Sequence, residues 1–426
     1  MSQLRAFVIG IFSLTAAVLA QAAPGDVPDI CRPAKDKADA QVVLDGCQET
    51  TDTSIPADAR AKRLYYRAYA YVEQGKLDEA ADALKKAIAI APDMAALHHE
   101  LAYVQIELGD FDAAEASAAE AMRLAPNDPE HTQERGFARL SKGDYTGAAA
   151  DFGESLRLGG KPGMRSMRAY ALALAGEIDA ARTDLATLDN TKAVADNEFY
   201  RKLAMTVVDN IKTADDTATA RQKCADAFEA MTIEKTFASI CTWAMRAAAT
   251  PVDRANAMRF RSFIWRYALK LDEPAKSDIE AAVRLNPNDD GTLGQRCTTL
   301  RDTAERRRQV VRGIADCTRA IELCEKPDCK IAMHLNRGWS YYTIKDHDNA
   351  LADAEAVIAA WPGRPDGYHI RGAIKLRMGD RDGAKADLLK AKELGGKSDD
   401  LRDLLKEVGV ETALLKISKA RVPEML

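Results

Sequence analysis

Eight cysteines are the residues of this chain best suited to chemistry: Cys31, Cys47, Cys224, Cys241, Cys297, Cys317, Cys324 and Cys329. Their spacing is regular. Cys47, Cys241 and Cys317 precede Arg67, Arg261 and Arg337 by 20 residues each, and each has an upstream cysteine 16, 17 or 20 residues away. A module of two cysteines and an arginine thus occurs three times. It predicts the pairs Cys31–Cys47, Cys224–Cys241 and Cys297–Cys317, and leaves Cys324–Cys329 as a short bridge around Pro327. Such cross-links need an oxidising compartment, and the N-terminus predicts one. Arg5 supplies a positive start, Ala6 to Ala20 is an uncharged and mostly apolar run, and Ala20-Gln21-Ala22 is a small-x-small cleavage site. The expected mature chain begins near Ala23 and is exported, to the periplasm or beyond. No C-x-x-C occurs, so chelation is not the expected use of these thiols.

The other groups that could do chemistry are scattered. His98, His99 and His131 have Glu100 and Glu134 nearby, but no His-x-x-x-His pair exists. Solvated carboxylates on helix faces are the expectation there, and no metal is expected. The chain has no G-x-S-x-G, P-loop or dinucleotide fingerprint. Neither a catalytic residue nor a cofactor is expected.

The elements that would position these residues follow from a repeat. Arg67-Ala68-Tyr69, Leu101-Ala102-Tyr103, Arg135-Gly136-Phe137 and Arg168-Ala169-Tyr170 succeed one another at steps of 34, 34 and 33 residues. Each small residue has an alanine 12 positions later: Ala68/Ala80, Ala102/Ala114, Gly136/Ala148 and Ala169/Ala181. The pairing recurs at Gly338/Ala350 and Gly372/Ala384, and a divergent copy joins Ser262 to Ala275, one residue longer. Small side chains at this spacing let two antiparallel helices approach closely. Turn signals fall between them, as at Gly75, Gly109, Gly143, Gly176 and Gly379; Lys345 stands where the sixth copy should have its glycine.

This pattern resembles the tetratricopeptide repeat, a helix-turn-helix of 34 residues. The resemblance implies an all-α solenoid, with two arrays joined by irregular disulfide-stapled helices. With the N-terminal signal and the cysteine spacing, it divides the chain into a signal peptide at 1–22, a cysteine-containing segment at 23–60, four repeats at 61–195 and an irregular connector at 196–255. A degenerate repeat at 256–290, a cysteine-rich helical segment at 291–330, two repeats at 331–398, and a cap and tail at 399–426 follow. Leu401, Leu404, Leu405 and Val408 form the apolar stripe of the cap, which a solenoid needs to cover its last open face.

One position stands out against this frame. The residue after the small one is aromatic in six copies: Tyr69, Tyr103, Phe137, Tyr170, Phe263 and Trp339; Ala373 breaks the series. In the resembled family this position of the first helix tends to face the concave groove. The rings therefore either line a peptide-binding groove or pack between neighbouring repeats, with Tyr69, Tyr103, Phe137, Tyr170 and Trp339 as the candidate groove residues. Family members that grip a partner's terminal carboxylates use Lys, Arg and Asn where this chain has Tyr65, His99, Glu100, Gln133 and Glu134, so that clamp is absent. Arg135/Asp151, Arg168/Asp184, Arg337/Asp353 and Arg371/Asp387, each 16 apart, are expected to bridge the two helices of one repeat.

With 60 basic against 65 acidic residues and a net charge of −5, the chain has no surplus for phosphates, and nucleic acid is not an expected partner. No later stretch is apolar enough to span a membrane. The sequence points to a non-catalytic scaffold or adaptor of the cell envelope that binds a protein or peptide. The competing readings are an enzyme or enzyme subunit with its site in the irregular connector, and a purely structural assembly subunit.

Overall fold

The computed structural model describes residues 27–189, 198–210, 223, 224, 226, 237–303 and 307–410. The expected signal peptide and cleavage site, much of the connector and the end of the tail lie outside these residues. The described chain is all-α and divides into two compact units, residues 1–284 and 285–426.

The first unit opens with α1 (Lys37–Gly46). Four helix pairs follow: α2 (Ala57–Gln74) with α3 (Leu77–Ile90), α4 (Ala95–Leu108) with α5 (Phe111–Leu124), α6 (Pro129–Ser141) with α7 (Tyr145–Arg157), and α8 (Met164–Ala175) with α9 (Ile178–Asp189). Then come α10 (Glu198–Asn210), α11 (Phe237–Arg246), α12 (Pro251–Tyr267) and α13 (Asp272–Leu285). The second unit holds α14 (Asp290–Thr303), α15 (Arg307–Leu323), α16 (Pro327–Thr343), α17 (His347–Ala360), α18 (Pro365–Met378), α19 (Arg381–Glu393) and α20 (Asp399–Glu407).

The paired small residues meet inside each hairpin. Ala68, Ala80, Ala102, Ala114, Ala148, Ala169, Ala181, Ala350 and Ala384 are all buried. A Cβ on Gly136 would strike the Phe152 ring, and one on Gly372 would strike Leu388. In the divergent pair, the Ser262 hydroxyl donates to the Ala275 carbonyl at 2.8 Å, so the bulkier residue is accommodated by satisfying its oxygen. The turns need a left-handed residue. Glycine supplies it in the regular copies, as at Gly109 (φ 83), while Lys345 (φ 62) and Lys270 (φ 59) adopt the same conformation in the sixth and the degenerate copies. A non-glycine residue there costs roughly 1–2 kcal/mol.

The expected arginine–aspartate bridges form as two-pronged pairs. Arg135 reaches Asp151 at 2.6 and 3.0 Å, Arg337 reaches Asp353 at 2.8 and 2.9 Å, and Arg371 reaches Asp387 at 2.7 and 2.8 Å. Arg168 grips Asp184 in the same way. Two further pairs of this type have longer spacings: Arg296–Asp316 in the α14/α15 hairpin and Arg261–Asp278 in α12/α13. Arg67 has no such aspartate, because Ala83 occupies the corresponding place. Its guanidinium donates instead to the carbonyls of Leu44 and Cys47, tying α1 to the first repeat.

The cysteines staple the atypical parts. All four expected pairs bring their sulfurs to bonding distance, with Cα separations of 4.9, 5.2, 5.6 and 5.8 Å in chain order. Cys31 and Cys47 hold α1 and the segment before it over Tyr69 and Ala70 of α2. Cys297 and Cys317 join α14 to α15 where Gly313 lies close against the Cys297 backbone. The segment 291–330 is therefore a helix hairpin built like a repeat, with a cysteine pair at its contact.

The degenerate repeat also has a distinct role in packing. A Cβ on Gly143, in the turn between α6 and α7, would collide with Ala281 and the Ser277 carbonyl of α13. The Tyr145 hydroxyl donates to Asp278 at 2.6 Å. Asp278 also accepts from Arg261 and from the Trp265 indole at 2.9 Å, and Arg261 reaches the Leu174 carbonyl and the Thr242 hydroxyl. Arg261 and Asp278 are fully buried, so this ion pair stands only because hydrogen bonds satisfy the remaining donors and acceptors. The network seats α12 and α13 against the turns of the third and fourth repeats. At the other end of the chain, Leu401, Leu404, Leu405 and Val408 bury against Ala373, Leu376, Leu388 and Ala391, so α20 covers the last repeat.

Candidate functional site

The first helices of the repeats, α2, α4, α6 and α8, carry the candidate binding face. Their small residues turn towards the second helices, which fixes the direction of the residue that follows. The structure treats the five candidate rings unequally. Tyr69 is buried under the Cys31–Cys47 segment, and burial pushes its hydroxyl up to about 12. Tyr170 is buried too, its ring 5.7 Å from Tyr200 of α10. Tyr103 and Phe137 are half-buried; Phe137 meets the edge of Phe152 at 5.3 Å. In the second unit, Trp339 is half-buried between Tyr342 at 5.5 Å and His369 at 5.2 Å. The partly open rings on neighbouring first helices are thus Tyr103 on α4 and Phe137 on α6.

The residues around them correct one expectation. Glu100 and Glu134 are not solvated: each is only 3% exposed. His99, His131, Thr132 and Gln133 are buried with them. A helix-face pattern read from one repeat cannot register the neighbouring repeats that cover the face. The Tyr65 hydroxyl donates to Glu100 at 3.4 Å. His99 and His131 face each other through their Nδ1 atoms at 3.3 Å, so one ring donates and the other accepts. Burial, then the neighbouring His131, lowers His99 to about 3, and burial lowers His131 as well. Burial, with Glu130 and Glu107 nearby, raises Glu134 to about 8. At neutral pH this cluster is uncharged at both histidines and at Glu134. Thr132 Oγ1, Gln133 Nε2 and the Tyr170 hydroxyl have no hydrogen-bond partner among the described residues.

The face is therefore aromatic at Tyr103 and Phe137, with a buried polar cluster of His99, Glu100, His131 and Glu134 behind them. It offers ring surface at Tyr103 and Phe137. The five residues standing at the family's clamp positions, Tyr65, His99, Glu100, Gln133 and Glu134, are all buried.

Sequence reasoning missed the network of Tyr145, Arg261, Trp265 and Asp278. A signal was present: Arg261 and Asp278 are 17 apart, one more than the regular bridges, as Ser262 and Ala275 are one more than the regular small pair.

Comparison with known proteins agrees with the repeat. The tetratricopeptide repeat family matches residues 71–133. A segment of 91 residues is 33% identical to heat shock protein STI1 of Saccharomyces cerevisiae, covering 21% of this chain and 15% of that protein's length. Among solved structures, a tetratricopeptide repeat protein from Parabacteroides merdae is 16% identical, with a TM-score of 0.31 over 82% of this chain and 98% of that one. A thermophilic protein of the same repeat type from Thermus thermophilus is 18% identical, with a TM-score of 0.35 over 45% of this chain and 98% of that one. The family match falls where the 34-residue helix pairs are most regular, and the chain carries tetratricopeptide repeats there.

Proposed function

We propose that this protein is an exported, non-catalytic scaffold that holds a protein or peptide partner along the first helices of its repeats. The tetratricopeptide architecture is in general a protein–protein interaction scaffold. The observation that carries the finer reading is the pair of half-buried rings, Tyr103 and Phe137, on the packed first helices α4 and α6. Aromatic rings supply large contact area with little conformational entropy to lose, and they suit an extended or helical peptide.

Export is supported by the N-terminal sequence and by four cysteine pairs at bonding distance, which read as disulfides and suit the periplasm or the outside of the cell. No helix among the described residues is long and apolar enough to cross a membrane. The test is capture by the mature protein from an envelope extract. Stoichiometric recovery of one envelope protein supports the scaffold; turnover of a small molecule with no captured partner contradicts it.

A further inference from the structure

The fourth cysteine pair differs from the other three. Cys31, Cys47, Cys224, Cys241, Cys297, Cys317 and Cys324 are buried, whereas Cys329 is only half-buried. Cys324 follows the end of α15, and Cys329 lies in the first turn of α16. Asp290, in the first turn of α14, aims a carboxylate oxygen at both sulfurs: Oδ2 lies 3.2 Å from Cys324 Sγ and 3.0 Å from Cys329 Sγ. The other oxygen, Oδ1, accepts from the Gly291 amide at 2.8 Å, which fixes the carboxylate in place. The Asp290 oxygen and the two sulfurs lie within 4.8 Å of one another.

We propose that Cys324, Cys329 and Asp290 form a thiol–disulfide exchange site that reacts with external thiols and disulfides. The argument rests on what Asp290 faces in each redox state. In the disulfide, an anionic oxygen meets two sulfurs that carry no proton and offer it no hydrogen bond. In the dithiol, both Sγ–H groups donate to that oxygen. The carboxylate therefore stabilises the reduced pair relative to the bridge. The half-buried sulfur, Cys329 Sγ, is the one an incoming thiolate reaches.

The reaction balances with a monothiol as reductant. A thiolate RS⁻ attacks Cys329 Sγ, the Cys324–Cys329 bond breaks, and Cys324 departs as a thiolate that takes up the proton the first RSH released. A second thiolate then attacks the sulfur of the RS group on Cys329. RSSR leaves, and the Cys329 thiolate is protonated. Two RSH are oxidised to one RSSR and one disulfide is reduced to two thiols; run backwards, the site oxidises its partner.

The test equilibrates the full mature chain in glutathione buffers of graded ratio, blocks free thiols by alkylation and quantifies each cysteine by peptide mapping. The proposal expects Cys324 and Cys329 to titrate in the folded chain at a glutathione ratio about tenfold or more oxidising than any other pair. Asp290→Asn should shift that midpoint toward the disulfide by about tenfold, and Cys324→Ser should collect a glutathione adduct on Cys329. The wild-type titration stands even if a variant fails to fold. Reduction of all four pairs together, or a midpoint that Asp290→Asn leaves in place in a folded chain, overturns the proposal. So does a reduced chain that binds added zinc tightly enough to block exchange, which would make the three residues a metal site.

Discussion

The carboxyl of Glu134 stays protonated in the folded chain until the pH approaches 8, because burial and the neighbouring Glu130 and Glu107 oppose its charge. The unfolded chain releases that proton near the ordinary value of 4.5. A folded-state value raised above the unfolded one means stability is fully present below about 4.5 and is lost as pH rises toward 8. The buried histidines act in the opposite sense. His99, lowered to about 3, refuses a proton that the unfolded chain takes near 6.5, so its contribution is lost as pH falls through that window. Glu134→Gln should therefore raise stability at pH 8 by about 1–3 kcal/mol, with a smaller gain at pH 5, when both proteins are unfolded in urea. His99→Leu should flatten the acid limb between pH 6.5 and 3. Lys345 makes a simpler prediction: its left-handed backbone (φ 62) is one that glycine adopts without strain, so Lys345→Gly should stabilise the second unit by roughly 1 kcal/mol.

Helix pairs were legible in the sequence wherever the contact depends on one residue type at one spacing. Ala68 against Ala80, or Arg135 against Asp151, is a local rule that each repeat states for itself. The α14/α15 hairpin escaped that rule because it replaces the small pair with Cys297 and Cys317 and lengthens the ionic pair to Arg296 and Asp316. The burial of Glu100, His131 and Glu134 was not legible, since it depends on neighbouring repeats and not on the helix that carries them. The seating of α13 on the Gly143 turn depends on a contact 133 residues apart, between Tyr145 and Asp278, which periodicity cannot express. That seating makes its own prediction. Tyr145→Phe should cost about 1–2 kcal/mol by removing one donor from Asp278. Arg261→Met should cost about 3–5 kcal/mol, because it leaves the Asp278 charge buried with too few partners. Thermal unfolding of the two variants should rank them in that order; equal effects would mean the network is not what holds α12 and α13 in place.

At the scale of the molecule, two compact units present repeated first helices, and the Cys31–Cys47 segment and α20 cover exposed ends within their own units. In the proposed scaffold, most of the sequence serves helix contacts, and a few side chains on the first helices are left to meet a partner. Tyr69 and Tyr170 have been drawn into packing, and Tyr103 and Phe137 keep part of their rings open. The most direct test is the affinity of the mature protein for the partner it captures, compared between the parent and the double variant Tyr103→Ala/Phe137→Ala. The account predicts about tenfold or weaker binding, a loss of roughly 1.4 kcal/mol or more, with helicity and melting temperature little changed. A double variant that folds normally and binds undiminished would contradict it, and one that unfolds would assign both rings to the packing of the repeats.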